Sequence, residues 1–134
     1  MKLKPVKPLT REVCKKLCDG ARRAMQYTYP TANDGFSVAL LTDKGTIYTG
    51  ASYGSDTATL TMHSEATALA RAANHGETHI VAITGPNCHI CKQLIYESSL
   101  RSGLNTLVII EEKGGYKQIP ISDLMPYPWP ETTK

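Results

Sequence analysis

Two short stretches of this chain hold the residue types from which a catalytic metal centre is built: His63-Ser64-Glu65, and Cys88-His89-Ile90-Cys91 with Pro86 just upstream. One imidazole and two thiolates bind zinc and leave its fourth tetrahedral position open to water, which a catalytic zinc needs and a structural zinc does not. Glu65 is then a carboxylate two residues from a ligand, close to the metal without being bound to it and suited to moving protons.

The elements that must carry these residues follow from pattern. Residues 64–75 are rich in alanine and free of Gly and Pro until Gly76, with Ala66, Leu69, Ala70 and Ala73 on one face, which predicts a helix starting at His63 and Glu65. Cys88, Cys91, Leu94, Ile95 and Ser98 recur at three- and four-residue steps up to Gly103, predicting a second helix with both cysteines on one face of its first turn. Both ligand sets then lie at positive helix ends, which favour thiolate over thiol. Thr10 is expected to cap a helix running to about Tyr29, with Val13, Leu17, Ala21, Ala24 and Met25 on one face and Pro30 ending it. Residues 36–49 read as two strands around the turn Asp43-Lys44-Gly45. Strands from His79 to Thr84 and from Thr106 to Ile110 flank the helix from Cys88 to about Leu100, an alternation that implies parallel pairing. Glu111 to Tyr116 reads as a polar turn, and residues 126–134 as a proline-rich tail that is neither regular helix nor central strand. The expectation is α/β, a mixed sheet with helices packed on it.

With these residues in place, the chain resembles the zinc-dependent nucleoside and nucleobase deaminases, whose signature is His-x-Glu with Pro-Cys-x-x-Cys. Within that group it is most similar to the cytidine deaminase family. Phe36-Ser37-Val38-Ala39-Leu40-Leu41 resembles the family's first strand, Asp43 to Gly50 its hairpin, Cys91-Lys92-Gln93 its Cys-Arg-Gln, and Asp123-Leu124-Met125-Pro126 its Leu-Leu-Pro stretch. The resemblance implies one domain over residues 1–134, a three-layer α-β-α fold with a mixed five-stranded sheet and helices on both faces. It implies zinc on His63, Cys88 and Cys91, with Glu65 as the catalytic proton carrier. It also implies a substrate pocket at Phe36, Ser52, Gly54 and Pro86, an aromatic such as Trp129 stacking on the base, and a homo-oligomer, first a tetramer and second a dimer, with shared pockets. Three departures stand out. Ser52-Tyr53-Gly54 replaces the family's ribose-holding Asn-x-Glu, Asn87 is an extra residue between Pro86 and Cys88, and Lys92 stands where the charge-tuning residue is usually arginine. With a neutral imidazole among the ligands, two thiolates already balance the zinc, so a lysine can suffice.

Composition sets the remaining bounds. At 134 residues and net charge +3 the chain suits one domain with a core of its own. Its apolar runs are strand-sized and Met1-Lys2-Leu3-Lys4-Pro5 lacks the apolar core of a signal peptide, so a cytoplasmic protein with no membrane partner is expected. The basic residues of the first quarter, Lys2 to Arg23, come without an aromatic stripe and read as a solvated face, not a nucleic-acid surface. Cys14 and Cys18 read as core residues of the first helix, and His75, His79 and His89 have ordinary positions. The favoured function is hydrolytic deamination of a cytidine-like nucleoside. The alternatives are another aminopyrimidine or aminonucleoside, of the kind blasticidin deaminases take, or a free base; then a nucleic-acid-editing deaminase; then a noncatalytic zinc domain in which Cys14 and Cys18 join Cys88 and Cys91.

Overall fold

The computed structural model describes residues 2–132. In chain order it runs β1 (Lys4–Pro5), α1 (Arg11–Ala24), β2 (Ser37–Thr42), β3 (Ile47–Ala51), α2 (Ser64–Asn74), β4 (Ile80–Thr84), α3 (His89–Ser102), β5 (Leu104–Asn105), β6 (Leu107–Glu112) and β7 (Gly115–Pro120). Five strands form one sheet in the order β3-β2-β4-β6-β7. Within this sheet β4 and β6 pair in parallel, the crossover between them being α3, and the other neighbours are antiparallel. β1 and β5 make a separate two-stranded pair.

Side chains alternate across a strand, and here the alternation sorts the interior into two layers. On one face Ala39, Ala82, Leu107 and Ile109 meet Cys14, Leu17 and Cys18 of α1. On the other, Val38, Leu40, Ile83 and Val108 meet Ala68 and Ala72 of α2 and Ile95, Tyr96 and Leu100 of α3. β4 and the start of β6 are covered on both sides, which is why Ile80-Val81-Ala82-Ile83 and Leu107-Val108-Ile109-Ile110 are continuous apolar runs. The result is the mixed five-stranded sheet between helical layers that the resemblance implies.

Three details differ from the reading by pattern. α1 is capped by Thr10 as expected, its hydroxyl accepting the Val13 N–H at 3.2 Å, but the α-helix stops at Ala24 and a single 3₁₀ turn, Met25–Tyr27, follows. Thr28 closes it, since its hydroxyl donates to Met25 O at 3.0 Å and to Thr31 O at 2.8 Å, a local alternative to the helical ladder. Glu111 to Tyr116 is no isolated turn but the tip of the β6–β7 hairpin, with Glu112 opposite Gly115 and Gly114 at φ 87°. β7 is an edge strand with half-exposed positions, so it lacks the apolar run that marks a central one. Finally, α2 buries Ser64, Glu65, Ala68 and Ala72, while Ala70 and Ala73 face outward. The reason lies in β3: a Cβ on Gly50 would fall 2.4 Å from both Ala68 N and Ser64 O, so the α2 backbone rests directly on that glycine.

Candidate active site

Both helices of the α2/α3 layer begin at the same place, and the first residue before each is a ligand type. His63 is the N-cap of α2 and Cys88 the N-cap of α3, each in extended backbone conformation with no side-chain capping bond, so each side chain is free to turn toward the other. Cys91 follows in the first turn of α3. His63 Nδ1 lies 3.2 Å from Cys91 Sγ and 3.5 Å from Cys88 Sγ, and the three ligand atoms all fall within 4.8 Å of one another. Tetrahedral geometry with ordinary Zn–S and Zn–N lengths puts ligand sulfur and nitrogen roughly 3.6 Å apart, so the donor set and its spacing fit zinc. Nδ1 is the imidazole atom aimed at the sulfurs.

The protein's own charges act against this ligand set. Burial pushes the Cys91 thiol well above the usual range, and the nearby Glu65 carboxylate and Cys88 add to the effect. Desolvation and like charge therefore outweigh the helix end that was expected to favour thiolate, and a divalent cation is what reverses the balance.

Glu65 is 7 % exposed, and both its oxygens are held: Ser64 Oγ donates to Oε1 at 2.9 Å and Asn87 Nδ2 donates to Oε2 at 2.8 Å. It is not one of the three converging ligand groups. Beside it opens a cavity of about 380 Å³ lined by His63, Ser64, Glu65, Pro86 and Cys88 on the inner side. Tyr29, Pro30, Asp34, Gly35, Phe36, Ser52, Gly54 and Thr61 complete its wall. Its size suits a small organic molecule.

Of the residues expected around a substrate, Phe36, Ser52, Gly54 and Pro86 thus share one cavity with His63, Cys88 and Glu65. Trp129 does not line it: Gln93 Nε2 donates to Trp129 O at 2.7 Å and Tyr96 Oη donates to Pro130 O at 3.1 Å, holding the tail on α3 with the indole 78 % exposed. Lys92 is half-buried in the first turn of α3. Cys14 and Cys18 sit under α1 across the sheet from α2 and α3, apart from the ligand set. Sequence reasoning missed Tyr29, Asp34 and Thr61 as pocket residues, and saw Asn87 only as an insertion. Tyr29 reaches this wall through contacts that local pattern does not report: its N–H donates to Ser52 O at 3.1 Å, its carbonyl accepts the Gly54 N–H at 2.7 Å, and its ring stacks on Tyr53 at 4.4 Å between centroids.

A His/Cys/Cys centre at two helix starts, with a buried unligated carboxylate beside a small cavity, is the arrangement of a zinc-dependent deaminase. Residues 11–104 match the family described as the cytidine and deoxycytidylate deaminase zinc-binding region, and the chain belongs to that family. The fold is shared with the crystal structure of cytidine deaminase from Burkholderia pseudomallei at TM-score 0.71 and 21 % identity, over 90 % of this chain and 100 % of that one. Cytidine deaminase from Mycobacterium tuberculosis gives 0.70 and 18 % over 86 % and 95 % of the two chains. That from Bacillus anthracis gives 0.66 and 20 % over 89 % and 91 %. No curated protein matches the sequence. Among the described residues no helix is long and apolar enough to cross a membrane.

Proposed function

We propose that this protein hydrolytically deaminates a cytidine-like nucleoside, replacing the exocyclic amino group of an aminopyrimidine by an oxo group and releasing ammonia. The observation that carries the reading is Glu65: a carboxylate buried on the cavity wall, oriented through both oxygens, beside three ligand atoms that converge without it. Zinc, held by His63, Cys88 and Cys91, would supply the acidification of water that makes hydroxide available near neutral pH. Glu65 takes the proton of the attacking water and delivers it to the ring nitrogen as the new C–O bond forms. It then carries the second water proton to the amino group, whose C–N bond breaks with loss of ammonia, and ends in the state in which it began. One water is consumed and one ammonia produced.

The wall of the cavity supports a small substrate. Among the described residues that line it none is a lysine or arginine, whereas a nucleic-acid groove needs cations along the backbone path. A specific contact bears on the sugar. Ser52 Oγ, at one of the two positions where the family holds ribose, already accepts the Phe36 N–H at 3.1 Å, and Gly54 offers no side chain. Besides Glu65, the carboxylate on the cavity wall is Asp34. This favours, as a second reading, an aminopyrimidine whose appended group differs from plain ribose, or the free base. Ammonia release from a panel of aminopyrimidine bases, nucleosides and aminonucleosides tests both. Turnover of at least one is expected, with cytidine below about ten thousand per molar per second in kcat/KM. Glu65→Gln should keep zinc and lose at least about a hundredfold in kcat. Release of ammonia by Glu65→Gln within tenfold of the parent would remove Glu65 from the mechanism.

A further inference from the structure

We propose that Asn87 is the positioning residue for Glu65: its side-chain amide spans from the loop before α3 to the carboxylate on α2 and fixes that carboxylate for proton transfer, an inference that rests on the deaminase reading above. Glu65 and His63 belong to one element, Cys88 and Cys91 to another. The carboxylate must hold a set distance from all three ligands, yet nothing within α2 can set its place relative to α3. Ser64 Oγ, the other donor, sits on α2 itself and moves with it. The Asn87 Nδ2 to Glu65 Oε2 bond, 2.8 Å long, is therefore a direct tie between the proton carrier and the segment that bears the two cysteines, and one that does not run through a ligand sulfur as the Cys91 contact does.

The amide's orientation is determined. Nδ2 donates to Glu65 Oε2 and also to Thr84 O at the end of β4, 3.1 Å away. Exchanging the amide's nitrogen and oxygen would set an acceptor against two acceptors. Asn87 is 8 % exposed, and its Oδ1 has no hydrogen-bond partner among the described residues. A buried acceptor left unmatched is a cost the fold bears so that both donors can stay where they are. Gly85 makes the room: a Cβ there would come 2.8 Å from Asn87 Oδ1 and 2.6 Å from Val108 Cγ1. An ionised carboxylate has about four lone-pair sites, so the bonds from Ser64 and Asn87 leave it capacity for water and substrate.

The test uses zinc-loaded full-length protein and two variants. Asn87→Leu keeps the branched outline of four heavy atoms while removing the donor and the unmatched acceptor together, and Asn87→Ala removes the side chain beyond Cβ. The probe is a ring-reduced pyrimidine nucleoside bearing a hydroxyl on a tetrahedral reacting carbon, with the oxo nucleoside as control, both measured by calorimetry. Misplacing a catalytic group by about 1 Å costs on the order of a hundredfold. Both variants are therefore expected to lose roughly 10- to 100-fold in affinity for the tetrahedral probe and in kcat, with oxo-nucleoside affinity, KM and one zinc per chain unchanged. In a Glu65→Ala background Asn87→Leu should cost nothing further, because a residue acting through Glu65 has nothing left to act on. If Asn87→Ala loses zinc, Asn87→Leu decides. The proposal is overturned if Asn87→Leu holds the probe within threefold of the parent, or if it weakens the probe equally with and without Glu65. A parent that neither binds the probe nor releases ammonia overturns the deaminase reading itself, before any variant is made.

Discussion

Cys91 is where opposing local forces meet. It lies in the first turn of α3, whose unpaired N–H groups favour a thiolate, yet it is 2 % exposed and faces Glu65. Burial and the carboxylate win, and the thiol pKa is raised. The sign of the consequence follows directly. A raised pKa means the proton is still on sulfur throughout the neutral range, so a cation that binds the thiolate must expel it. Apparent zinc affinity should accordingly rise by at least about tenfold per pH unit between pH 6 and pH 8, one decade for each proton released. Chelator competition at several pH values measures this, and a flat dependence would show that Cys91 is not a ligand. Cys14 and Cys18 give the complementary expectation. Both are buried on the inner face of α1 against Ala39, Ala82 and Ile109, with the sheet between them and the α2/α3 layer that carries His63, Cys88 and Cys91. A Cys14→Ser, Cys18→Ser double variant should therefore keep one zinc per chain while Cys88→Ser loses it. The reverse pattern would restore the noncatalytic four-cysteine reading.

At the scale of elements, the site depends on how closely α2 lies on β3. Gly50 permits backbone contact with Ala68 and Ser64, and Ser64 is the neighbour of both His63 and Glu65. Gly50→Ala should cost about 1–3 kcal/mol by overpacking, and should lower kcat because α2 must lift or slide and carry Glu65 with it. Gly115→Ala, where a Cβ would meet nothing within 4 Å, is the control and should stay within about 0.5 kcal/mol. Denaturant midpoints for the two variants check both; equal midpoints would mean that the contact at Gly50 yields freely. The same elements show what a sequence can disclose. His63, Glu65, Cys88 and Cys91 were legible because each ligand set is local, placed by one helix start. The central strands were legible because burial on both faces leaves an unbroken apolar run. β7 was not, since an edge strand mixes Lys117 and Gln118 with Ile119 and resembles a loop. The buried face of α2 was not, because every candidate face of that helix is rich in alanine and only the distant Gly50 selects among them. The Asn87–Glu65 bond joins residues 22 apart through the folding of β4 between them, and no periodicity reports such a contact.

For the whole molecule, the tail poses a geometric question. Its backbone is tied to α3 through Gln93 and Tyr96, and the Trp129 indole is exposed and lies outside its own chain's cavity. Phe36, on the cavity wall, is also 77 % exposed, so this apolar side chain lies open to solvent at the cavity. A flat aminopyrimidine needs most of its surface covered to bind. We propose that a second copy provides the cover, with Trp129 reaching the pocket of a neighbour in a closed homo-oligomer, a tetramer in the first place. Light scattering at micromolar concentration is expected to show an oligomer, and Trp129→Ala should raise KM by roughly 5- to 150-fold, the loss of one stacking contact of about 1–3 kcal/mol, while leaving the zinc content at one per chain. Mixing then separates a neighbour's tryptophan from a chain's own. Hetero-oligomers formed from excess Trp129→Ala chains that also carry Glu65→Gln, and a minority of parent chains, should turn over with the weakened KM, because the only working Glu65 then faces a neighbour without its indole. Parent KM in that mixture, or an active monomer, would place the cover within a single chain.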